Sequence, residues 1–372
     1  MRVAIVTESF LPQVNGVTGS VQKLLEHLGR RGHSALVIAP GPGPTTWAGA
    51  DVVRTPSLPL PGYGSYRVGT PWPQLSQTLQ QFDADLLHLA SPTVLGAQAI
   101  TAATRLGLPS IAVYQTDLAA FAARYRIGGT SPAVWRWLRW IHRQADLTLA
   151  PSRQAALALA EHGIPRVRLW PRGVDGDLFA PYRRDDALRR ELAPDGERLV
   201  GYVGRLAAEK QVHLLAGLHG VPGVQLVIVG DGPVRPALEA LLPRARFLGV
   251  QRGERLASLF ASLDLFVHTG AHETFCQAAQ EALASGVPVV APAAGGLLDL
   301  VQDGVNGRLY APGSATALRD AALPLLQDPA SVATMAGAAR GTVAARTWQA
   351  VGDSYLRHAW AVLDPRSAAL VG

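Results

Sequence analysis

Short apolar runs alternate with longer amphipathic stretches along the whole chain. The runs are rich in Val, Ile and Leu, and they lack the polar alternation of strands that face water on one side. We predict buried β-strands at 3–6, 35–39, 86–89, 110–114, 147–150, 199–203, 225–229, 246–248, 265–268 and 287–291. The stretches between them predict helices, for example at 20–30, 96–106, 154–162 and 252–263. This alternation indicates an α/β protein built from parallel, doubly wound sheets.

The alternation stops between about 171 and 198, where the sequence PRGVDGDLFAPYRRDD is rich in glycine, proline and charge. We therefore predict an N-terminal Rossmann-like domain at 1–172, a linker at 173–198 and a C-terminal Rossmann-like domain at 199–346. A last helix within 347–372 has no strand after it, and we expect it to join the N-terminal domain. Because ligands of such sheets bind outside the carboxyl ends of the strands, we expect the site in a cleft between the domains.

Composition narrows the class of protein. The chain has 372 residues, a net charge of +6 and a single cysteine, Cys276. One cysteine excludes an internal disulfide framework and fits a reducing compartment. The sequence MRVAIVTESF becomes polar too early for a signal peptide, and no run of about eighteen apolar residues predicts a membrane span. We expect a cytoplasmic protein, with association with the inner face of the cell membrane left open. The net charge favours anionic partners, which are phosphates, acidic lipid or nucleic acid; of these we expect no nucleic acid.

A glycine-containing turn follows the first predicted strand, in VTESFLPQVNGVTGSVQKLL. Gly16 would let the backbone approach a phosphate, because it has no Cβ in the way. The helix that follows offers free N–H groups at its N-terminus. The sequence lacks the G-x-G-x-x-G fingerprint and so does not imply a dinucleotide. An ordinary strand-to-helix turn with a capping residue is the alternative interpretation.

Two cations follow the strand predicted at 199–203, in GYVGRLAAEKQVHLL. Arg205 can bind oxygens in a bidentate manner and Lys210 is a compact charge, so together they could neutralise a diphosphate. Lysine otherwise occurs only at Lys23, which makes its presence in this loop more informative. The alternative is a solvated basic loop.

Two glutamates stand eight positions apart in TGAHETFCQAAQEALASG. We expect Thr274 to cap a helix, with Glu273 just before it and Glu281 about two turns inside, on the order of 10 Å along the axis. This separation suits the two ends of a nucleotide sugar, with one carboxylate facing hexose hydroxyls and the other a ribose diol. The N–H groups of Phe275 and Cys276, between them, could meet the sugar or the phosphate. A capping carboxylate and a solvated helix glutamate are the alternative.

These motifs resemble those of a known family. The segments SFLPQVNGV, GYVGRLAAEK, VIVGDGP and HETFCQAAQEALASGVPVVAPAAGGLLDLV are similar to retaining glycosyltransferases of the GT-B fold in glycosyltransferase family 4. The resemblance runs almost from end to end, and the E-x7-E pattern of Glu273 and Glu281 is among the more specific marks of the family. It implies two doubly wound Rossmann-like domains whose parallel sheets face each other across a cleft.

The resemblance also implies an activity. VYQTDLAAFA, HLASPTVLGA, WPRGVD and HETFCQ resemble GDP-mannose-dependent α-mannosyltransferases of glycolipid biosynthesis in particular. The implied reaction moves a hexose, expected to be mannose from GDP-mannose, to a hydroxyl acceptor, expected to be a glycolipid, with retention and without a metal or other cofactor. A UDP-sugar-dependent glucosyl- or sulfoquinovosyltransferase making diacylglycerol glycolipids is one alternative. A nucleotide-sugar epimerase and a non-catalytic sugar- or lipid-binding protein are others.

Roles in the C-terminal domain follow from the same resemblance. Arg205 and Lys210 would bind the donor diphosphate and stabilise its charge as it departs. Glu273 would hold the transferred hexose, and Glu281 the ribose. Val250 matches a segment whose backbone contacts the base.

A departure from the family pattern lies in VYQTD. Many members carry histidine where this chain has Gln115, and a glutamine cannot shuttle a proton at neutral pH. We expect Gln115, Asp117 and Asn15 to position the sugar or the acceptor, while Gly16 approaches the phosphate from the N-terminal domain. We count Asp117 with Glu273 and the two cations as the catalytic group. The resemblance implies that the leaving phosphate takes the acceptor's proton, and no covalent nucleophile is identified.

Asp83 and Asp85 form a D-x-D, a pattern that elsewhere holds a metal on a sugar nucleotide. Here the pair precedes a strand, at the end away from the expected cleft, so we expect no metal site there. The segment 59–73 is rich in glycine, proline and aromatic residues. We expect it to be irregular, either as an acceptor-side loop or as a mobile excursion.

The sequence SPAVWRWLRWIHRQAD predicts an amphipathic helix. At about 100° per residue the apolar and basic side chains separate onto opposite faces. The apolar face carries Val134, Leu138, Ile141 and Ala145, and the basic face carries Arg136, Arg139 and Arg143 with Trp140 beside them. Arginine and tryptophan together suit an anionic membrane surface. A core-packed helix with a solvated basic face is the alternative, and we favour it on sequence alone.

Overall fold

The structure is a computed structural model of the chain and describes residues 1–13, 15–60, 63–117 and 131–364. It divides into two compact units, Met1–Arg172 with Trp348–Gly372, and Gly173–Thr347. Each unit contains its own sheet, in which the strand pairs are parallel apart from one edge pair in the first unit. The prediction of an α/β fold with two parallel sheets is confirmed.

An eight-stranded sheet organises the first unit. The described strands of this unit, of which β5 and β6 lie outside that sheet, are β1 (Arg2–Val6), β2 (Ser34–Pro40), β3 (Thr46–Trp47), β4 (Ala50–Thr55), β5 (Ser57–Leu60), β6 (Tyr63–Gly69), β7 (Leu86–Leu89), β8 (Ser110–Val113), β9 (Leu147–Ala150) and β10 (Val167–Leu169). The sheet order is β10-β9-β8-β7-β1-β2-β4-β3, with only β3 antiparallel to its neighbour. The described helices are α1 (Gly16–Arg30), α2 (Leu75–Gln81), α3 (Val94–Leu106), α4 (Ser131–Gln144), α5 (Arg153–Glu161) and the final helix α12 (Trp348–Leu363).

Strands β5 and β6 form a separate antiparallel hairpin. The expectation that 59–73 is irregular is therefore wrong for most of this segment. Arg67 stabilises the pairing by donating to the Oγ and carbonyl oxygens of Ser57 at 2.8 and 2.7 Å. Pro59 is tolerated because a two-stranded sheet consists only of edge strands.

Helix α1 begins four residues before the predicted start, because Asn15 caps it. The Asn15 Oδ1 accepts hydrogen bonds from the backbone N–H groups of Val17 and Thr18, both at 3.0 Å. An asparagine in extended backbone geometry is among the most effective helix caps. The cap fixes where the first turn of α1, which carries Gly16, emerges after β1.

Helix α12 belongs to the first unit, although it is far from the rest of that unit in sequence. Its Tyr355 is fully buried, and the phenol hydrogen-bonds to Nδ1 of His88 on β7 at 3.1 Å. The Trp170 indole donates to the backbone carbonyl of Val351 at 3.0 Å. Burial lowers the pKa of His88 to about 3, so the imidazole is neutral and tolerates this apolar site.

A six-stranded parallel sheet organises the second unit, in the order β13-β12-β11-β14-β15-β16. The strands are β11 (Arg198–Val203), β12 (Val224–Val229), β13 (Arg246–Gly249), β14 (Leu265–Val267), β15 (Val289–Pro292) and β16 (Gly307–Tyr310). The helices are α6 (Asp186–Leu192), α7 (Arg235–Leu241), α8 (Gly253–Ser262), α9 (Gln277–Ala284), α10 (Ala315–Gln327) and α11 (Pro329–Val343).

The segment 173–198, predicted to be a linker, is grouped with the second unit. It contains α6, which Asp185 caps by accepting from the N–H groups of Ala187 and Leu188. Leu188 and Leu192 are buried in the core of that unit. The high density of charge around these two leucines explains why the sequence pattern did not reveal the helix.

Candidate active site

Loops after neighbouring strands of the second unit carry most of the predicted site residues. The strands β12, β11, β14 and β15 are adjacent and parallel, so their carboxyl ends lie at one edge of the sheet, where ligands of such folds bind. Residues 204–210 follow β11, and residues 268–276, termed the Glu273 loop, follow β14.

Lys210 and Glu273 meet at this edge. The Lys210 Nζ lies 2.5 Å from the Glu273 Oε1, and their side chains are 23% and 14% exposed. Thr269 joins the same two loops, because its hydroxyl donates to the Lys210 carbonyl at 2.6 Å. The structure thus brings together one predicted site residue from each of the two loops.

His268 is a site residue that the sequence analysis missed. It is 3% exposed, and its Nε2 lies 2.9 Å from the same Glu273 Oε1 that Lys210 contacts. The other oxygen, Oε2, has no hydrogen-bond partner in the described part of the chain. One carboxylate oxygen is therefore fixed by the protein, and the other is available to accept from a ligand hydroxyl.

Charge coupling keeps Glu273 ionised. Burial alone would favour the neutral acid, but Lys210 and His268 outweigh it and hold the pKa of Glu273 well below its usual range. Burial likewise opposes charge on His268, yet the Cys276 sulphur and the Glu273 carboxylate raise the pKa of its imidazole above the ordinary value. Glu273 also raises the pKa of Lys210 against the effect of burial. Lys210 and Glu273 accordingly carry opposite charges at neutral pH.

Glycines hold the Glu273 loop in place. The Gly296 N–H donates to the Glu273 carbonyl at 2.7 Å. A Cβ at Gly296 would come within 2.6 Å of the Phe275 Cα, and one at Gly295 within 2.4 Å of the Glu273 carbonyl. Only glycine permits this approach. The two glycines of the sequence AAGG, which follows β15, therefore help to position Glu273, although they are more than twenty residues away in sequence.

Helix α9 begins at Gln277, two residues later than predicted. The expected cap, Thr274, does not take that role; Cys276 occupies the N-cap position with φ +87° and makes no side-chain capping bond. The Phe275 side chain is buried in the core of the unit. Glu281 lies in the second turn of α9 and is partly buried. Burial raises its pKa to about 7, although a hydrogen bond with Gln277 acts in the opposite direction.

Arg205 and Val250 lie nearer to solvent. Arg205 forms an ion pair with Glu209, and its side chain is 41% exposed. Val250, which follows β13, is 59% exposed. The loop after β12 supports this region: a Cβ at Gly230 would come within 1.9 Å of the Gly204 carbonyl oxygen, so the turn that leads into Arg205 needs glycine beside it.

The first unit contains a second cluster of predicted site residues, joined by Arg172. Its guanidinium donates to the Gly16 carbonyl at 2.5 Å and to the Gln115 Oε1 at 2.6 Å. Burial lowers the pKa of Arg172 to about 10, so the side chain remains charged. Asp117 is hydrogen-bonded to the Tyr114 phenol, and Asn15, beyond capping α1, donates to the Ser9 hydroxyl at 2.6 Å. Sequence reasoning also missed Arg172.

The D-x-D aspartates have structural surroundings. The Asp85 carboxylate accepts from the backbone N–H of Arg2 at 2.7 Å, and Asp83 sits in a turn with φ +53°. Both residues lie before the amino end of β7. Ligands of such sheets bind at the opposite edge, outside the carboxyl ends of the strands. Among the described residues, the metal-type ligands that do cluster are His268, Glu273 and Cys276.

Helix α4 has the two faces that the sequence predicts. Leu138, Ile141 and Ala145 are buried, whereas Arg136 and Arg143 are exposed. The structure adds Trp137, which is 45% exposed and stacks with Trp140, itself 44% exposed, at a ring separation of 5.4 Å. Arg139 is less exposed than expected, because its Nε donates to the His162 carbonyl at 2.6 Å. Within the described ranges, the helices are too short or too polar to cross a bilayer.

Comparison with known proteins gives a consistent result over both units. The chain matches the model described as Glycosyltransferase Family 4 at residues 14–178 and that described as Glycosyl transferases group 1 at residues 183–342. It is 50% identical to a GDP-mannose-dependent alpha-mannosyltransferase of Mycolicibacterium smegmatis, over 99% of each chain. It is 49% identical to the protein of the same name in Mycobacterium tuberculosis, over 99% of this chain and 98% of that one. Among solved structures, Anabaena HepE in complex with UDP has a TM-score of 0.81 at 22% identity, over 97% of this chain and 100% of that chain.

Proposed function

Because this chain belongs to glycosyltransferase family 4 and has the GT-B fold, we propose that it transfers mannose from GDP-mannose to a hydroxyl acceptor with retention of configuration. The observation that supports the proposal is the contact between the Lys210 ammonium, a group suited to binding phosphate, and the Glu273 carboxylate, a group suited to binding sugar hydroxyls. The donor identity is supported by full-length relatives at about half identity whose names specify GDP-mannose.

The proposed chemistry depends on the charge of the leaving group. As the glycosidic bond breaks, negative charge grows on the nucleoside diphosphate, and fixed cations in a site shielded from water stabilise it. Lys210 is held by Glu273 and buried enough to act strongly, whereas Arg205 is more exposed and can reorient toward the phosphates. The acceptor oxygen bonds to the anomeric carbon on the face from which the diphosphate departs, and its proton passes to the departing phosphate, so retention requires no covalent nucleophile.

Glu273 and Glu281 bind the two sugars of the donor in this proposal. The unpartnered Oε2 of Glu273 accepts from the hexose hydroxyls, and Glu281 accepts from the ribose diol. We also predict donor contacts from the backbone amides of Phe275 and Cys276 and from the backbone at Val250. In the first unit, the roles of Gly16, Asn15, Gln115 and Asp117 toward phosphate, sugar and acceptor also stay predictions.

We propose that the reaction needs no metal ion. The cations Arg205 and Lys210 supply the charge that a divalent ion would otherwise provide. The D-x-D alternative is disfavoured because Asp85 is used to hold the N-terminal strand. Activity that survives chelation supports this, whereas strict dependence on Mg²⁺ or Mn²⁺ would restore Asp83 and Asp85 as candidates.

We propose a glycolipid acceptor at an anionic membrane surface, contacted by α4. The support is the pair of stacked, half-exposed tryptophans beside Arg136 and Arg143; such side chains enter the headgroup region together. Replacing Trp137 and Trp140 by serine should reduce co-sedimentation with anionic vesicles. Leu157→Ser, which removes another exposed apolar side chain, should leave it unchanged. Equal binding by all variants would refute the contact.

The donor is tested by thermal shift with GDP-mannose, UDP-glucose and ADP-glucose, since a ligand of the folded form raises its melting temperature. We expect GDP-mannose to give the largest shift. A larger shift with UDP-glucose would favour the UDP-sugar alternative. Conversion of labelled GDP-mannose in the absence of acceptor would instead indicate an epimerase, and binding without release of GDP a non-catalytic protein.

The catalytic role of the cation is tested by Lys210→Ala against Lys23→Ala. Lys23 is the only other lysine and pairs with Glu26 at the surface, where such pairs contribute little. We expect Lys210→Ala to lower turnover by about 10²–10³, as loss of one electrostatic stabiliser does elsewhere, and Lys23→Ala to keep full activity. Near-normal turnover of a folded Lys210→Ala variant would contradict the mechanism.

A further inference from the structure

Three side chains of different chemistry converge beside Lys210. His268, Glu273 and Cys276 each offer one ligand atom, and these atoms all lie within 4.8 Å of one another. His268 and Cys276 are 3% and 7% exposed, and the Glu273 side chain is 14% exposed. The cluster is therefore a buried set and differs from the exposed acidic groups that are common on protein surfaces.

The ligand types indicate which cation would fit. Zn²⁺ binds imidazole nitrogen, carboxylate oxygen and thiolate sulphur, and it accepts three protein ligands with one position left for water. The thiolate disfavours Mg²⁺ and Mn²⁺, which prefer oxygen ligands. The site thus suits a thiophilic divalent cation and not the ions that assist nucleotide-sugar chemistry elsewhere.

A cation, the Lys210 ammonium, already lies beside this cluster. The Lys210 ammonium contacts the Glu273 Oε1, which His268 also contacts. Lys210 is 23% exposed on a flexible stem, so the ammonium can move toward solvent and leave Glu273 to another cation. The same carboxylate can pair with either lysine or metal, and a metal that binds both of its oxygens would leave neither for a hexose hydroxyl.

We propose that Zn²⁺ binds His268, Glu273 and Cys276 and inhibits the transferase. Bound metal would take Glu273 from the hexose and displace Lys210 from the diphosphate, so metal and donor would exclude each other. Only this inhibitory consequence rests on the proposed function; the metal site rests on the geometry of the three side chains. It is an inhibitory site, and it does not supply a cofactor to the reaction.

Direct binding is tested with Co²⁺ as a spectroscopic substitute, using the full chain without a histidine tag and without donor. Cys276 is the only cysteine, so thiolate-to-cobalt charge-transfer absorption can arise only from this site. We expect the band to saturate at one ion per chain and to disappear when Zn²⁺ is added. Absence of the band in the folded protein would overturn the proposal, whatever the outcome of the donor experiments.

Variants separate ligation from folding. Cys276→Gly should fold, because glycine readily adopts φ +87°, and it should lose the cobalt band; Cys276→Ser should lose it as well. His268→Gln should weaken Co²⁺ binding at least tenfold. Retention of the band at full strength in His268→Gln would refute the assigned ligand set.

Inhibition is then measured relative to each variant's own metal-free rate. We expect Zn²⁺ to inhibit the unaltered chain, EDTA to restore the rate, and GDP-mannose to raise the Zn²⁺ concentration required. Cys276→Gly should need at least tenfold more Zn²⁺ for the same fractional loss. Equal sensitivity of the glycine variant would place the inhibitory metal elsewhere and refute the proposal.

Discussion

Replacing Glu281 by glutamine should stabilise the protein while removing donor affinity. Glu281 lies in the second turn of α9, and burial raises its pKa from 4.5 to about 7. Ionising Glu281 in the folded chain therefore costs free energy. In our proposal this cost is offset by function, because the Glu281 carboxylate accepts hydrogen bonds from the donor ribose. Glutamine keeps the shape and removes the charge.

The size of the effect follows from the pKa. Raising a carboxyl pKa from 4.5 to about 7 makes ionisation about 300-fold less favourable in the folded state, or about 3 kcal/mol. Because the folded state binds the proton more tightly, stability falls as pH rises from about 4.5 to about 7 and is then constant. Since Glu281 keeps some exposure, about 3 kcal/mol is an upper limit, and it corresponds to a shift of about 6–12 °C in the transition of the second unit.

The assay is thermal unfolding of the unaltered chain, Glu281→Gln and the control Glu191→Gln at pH 5, 6, 7 and 8. Glu191 is 67% exposed on α6 in the same unit, so its replacement should have little effect at any pH. We expect the advantage of Glu281→Gln to grow between pH 5 and pH 8. A variant that is no more stable than the original at pH 8 would refute the assignment of a buried carboxylate. Unchanged thermal stabilisation by GDP-mannose in that variant would separately refute the ribose contact.

Three further substitutions test the supports of the two clusters. Gly296→Ala should displace the Glu273 loop and lower both the melting temperature and the donor affinity, because the added Cβ would lie 2.6 Å from backbone atoms. The control Gly337→Ala, which adds a Cβ in open space, should be neutral or stabilise the protein by up to about 1 kcal/mol. Equal effects of the two substitutions would contradict the packing argument. Arg172→Lys should lower kcat at least tenfold in a folded protein, since an ammonium cannot reproduce both guanidinium bonds, and kinetics matching the original would exclude this positioning role. Tyr355→Phe should destabilise the first unit by about 1–2 kcal/mol in urea unfolding, because it leaves the buried Nδ1 of His88 without its partner, and an unchanged midpoint would count against that bond.

Continuous burial made much of the fold predictable from sequence. Strands β7 and β9 were predicted to the residue, because every position in them is apolar or buried between apolar neighbours. Strand β10 was missed because Arg168 and Leu169 are exposed, so it lacks the apolar run. Helix α6 was hidden in a charged segment. Elements that depend on a few contacts at an edge give no periodic signal.

The site was only partly predictable, for a related reason. The pairing of Lys210 with Glu273 could be anticipated, because parallel strands place their following loops at one edge. The contact of Arg172 with Gly16 spans 156 positions, and no local pattern marks it. His268 ends an apolar run and reads as a strand residue, while its role comes from the ring reaching Glu273. Gly295 and Gly296 pack closely on the Glu273 loop, and Cys276 takes the N-cap position of α9 in place of Thr274. Contacts of this kind, made by residues distant in sequence, are not visible in the local pattern around Thr274.

The return of the last helix to the first unit has a consequence for biosynthesis. The second unit occupies Gly173–Thr347 as an insertion, and its two ends meet where Val174 bridges Thr347. During translation, all residues of the second unit are therefore synthesised before Tyr355. Tyr355 is the residue against which His88 and Trp170 of the first unit pack. Residues 1–172 therefore cannot complete the core of the first unit until the final helix, α12, has been synthesised. A nascent chain stalled just after residue 347 should contain a protease-resistant second unit and a protease-sensitive first one.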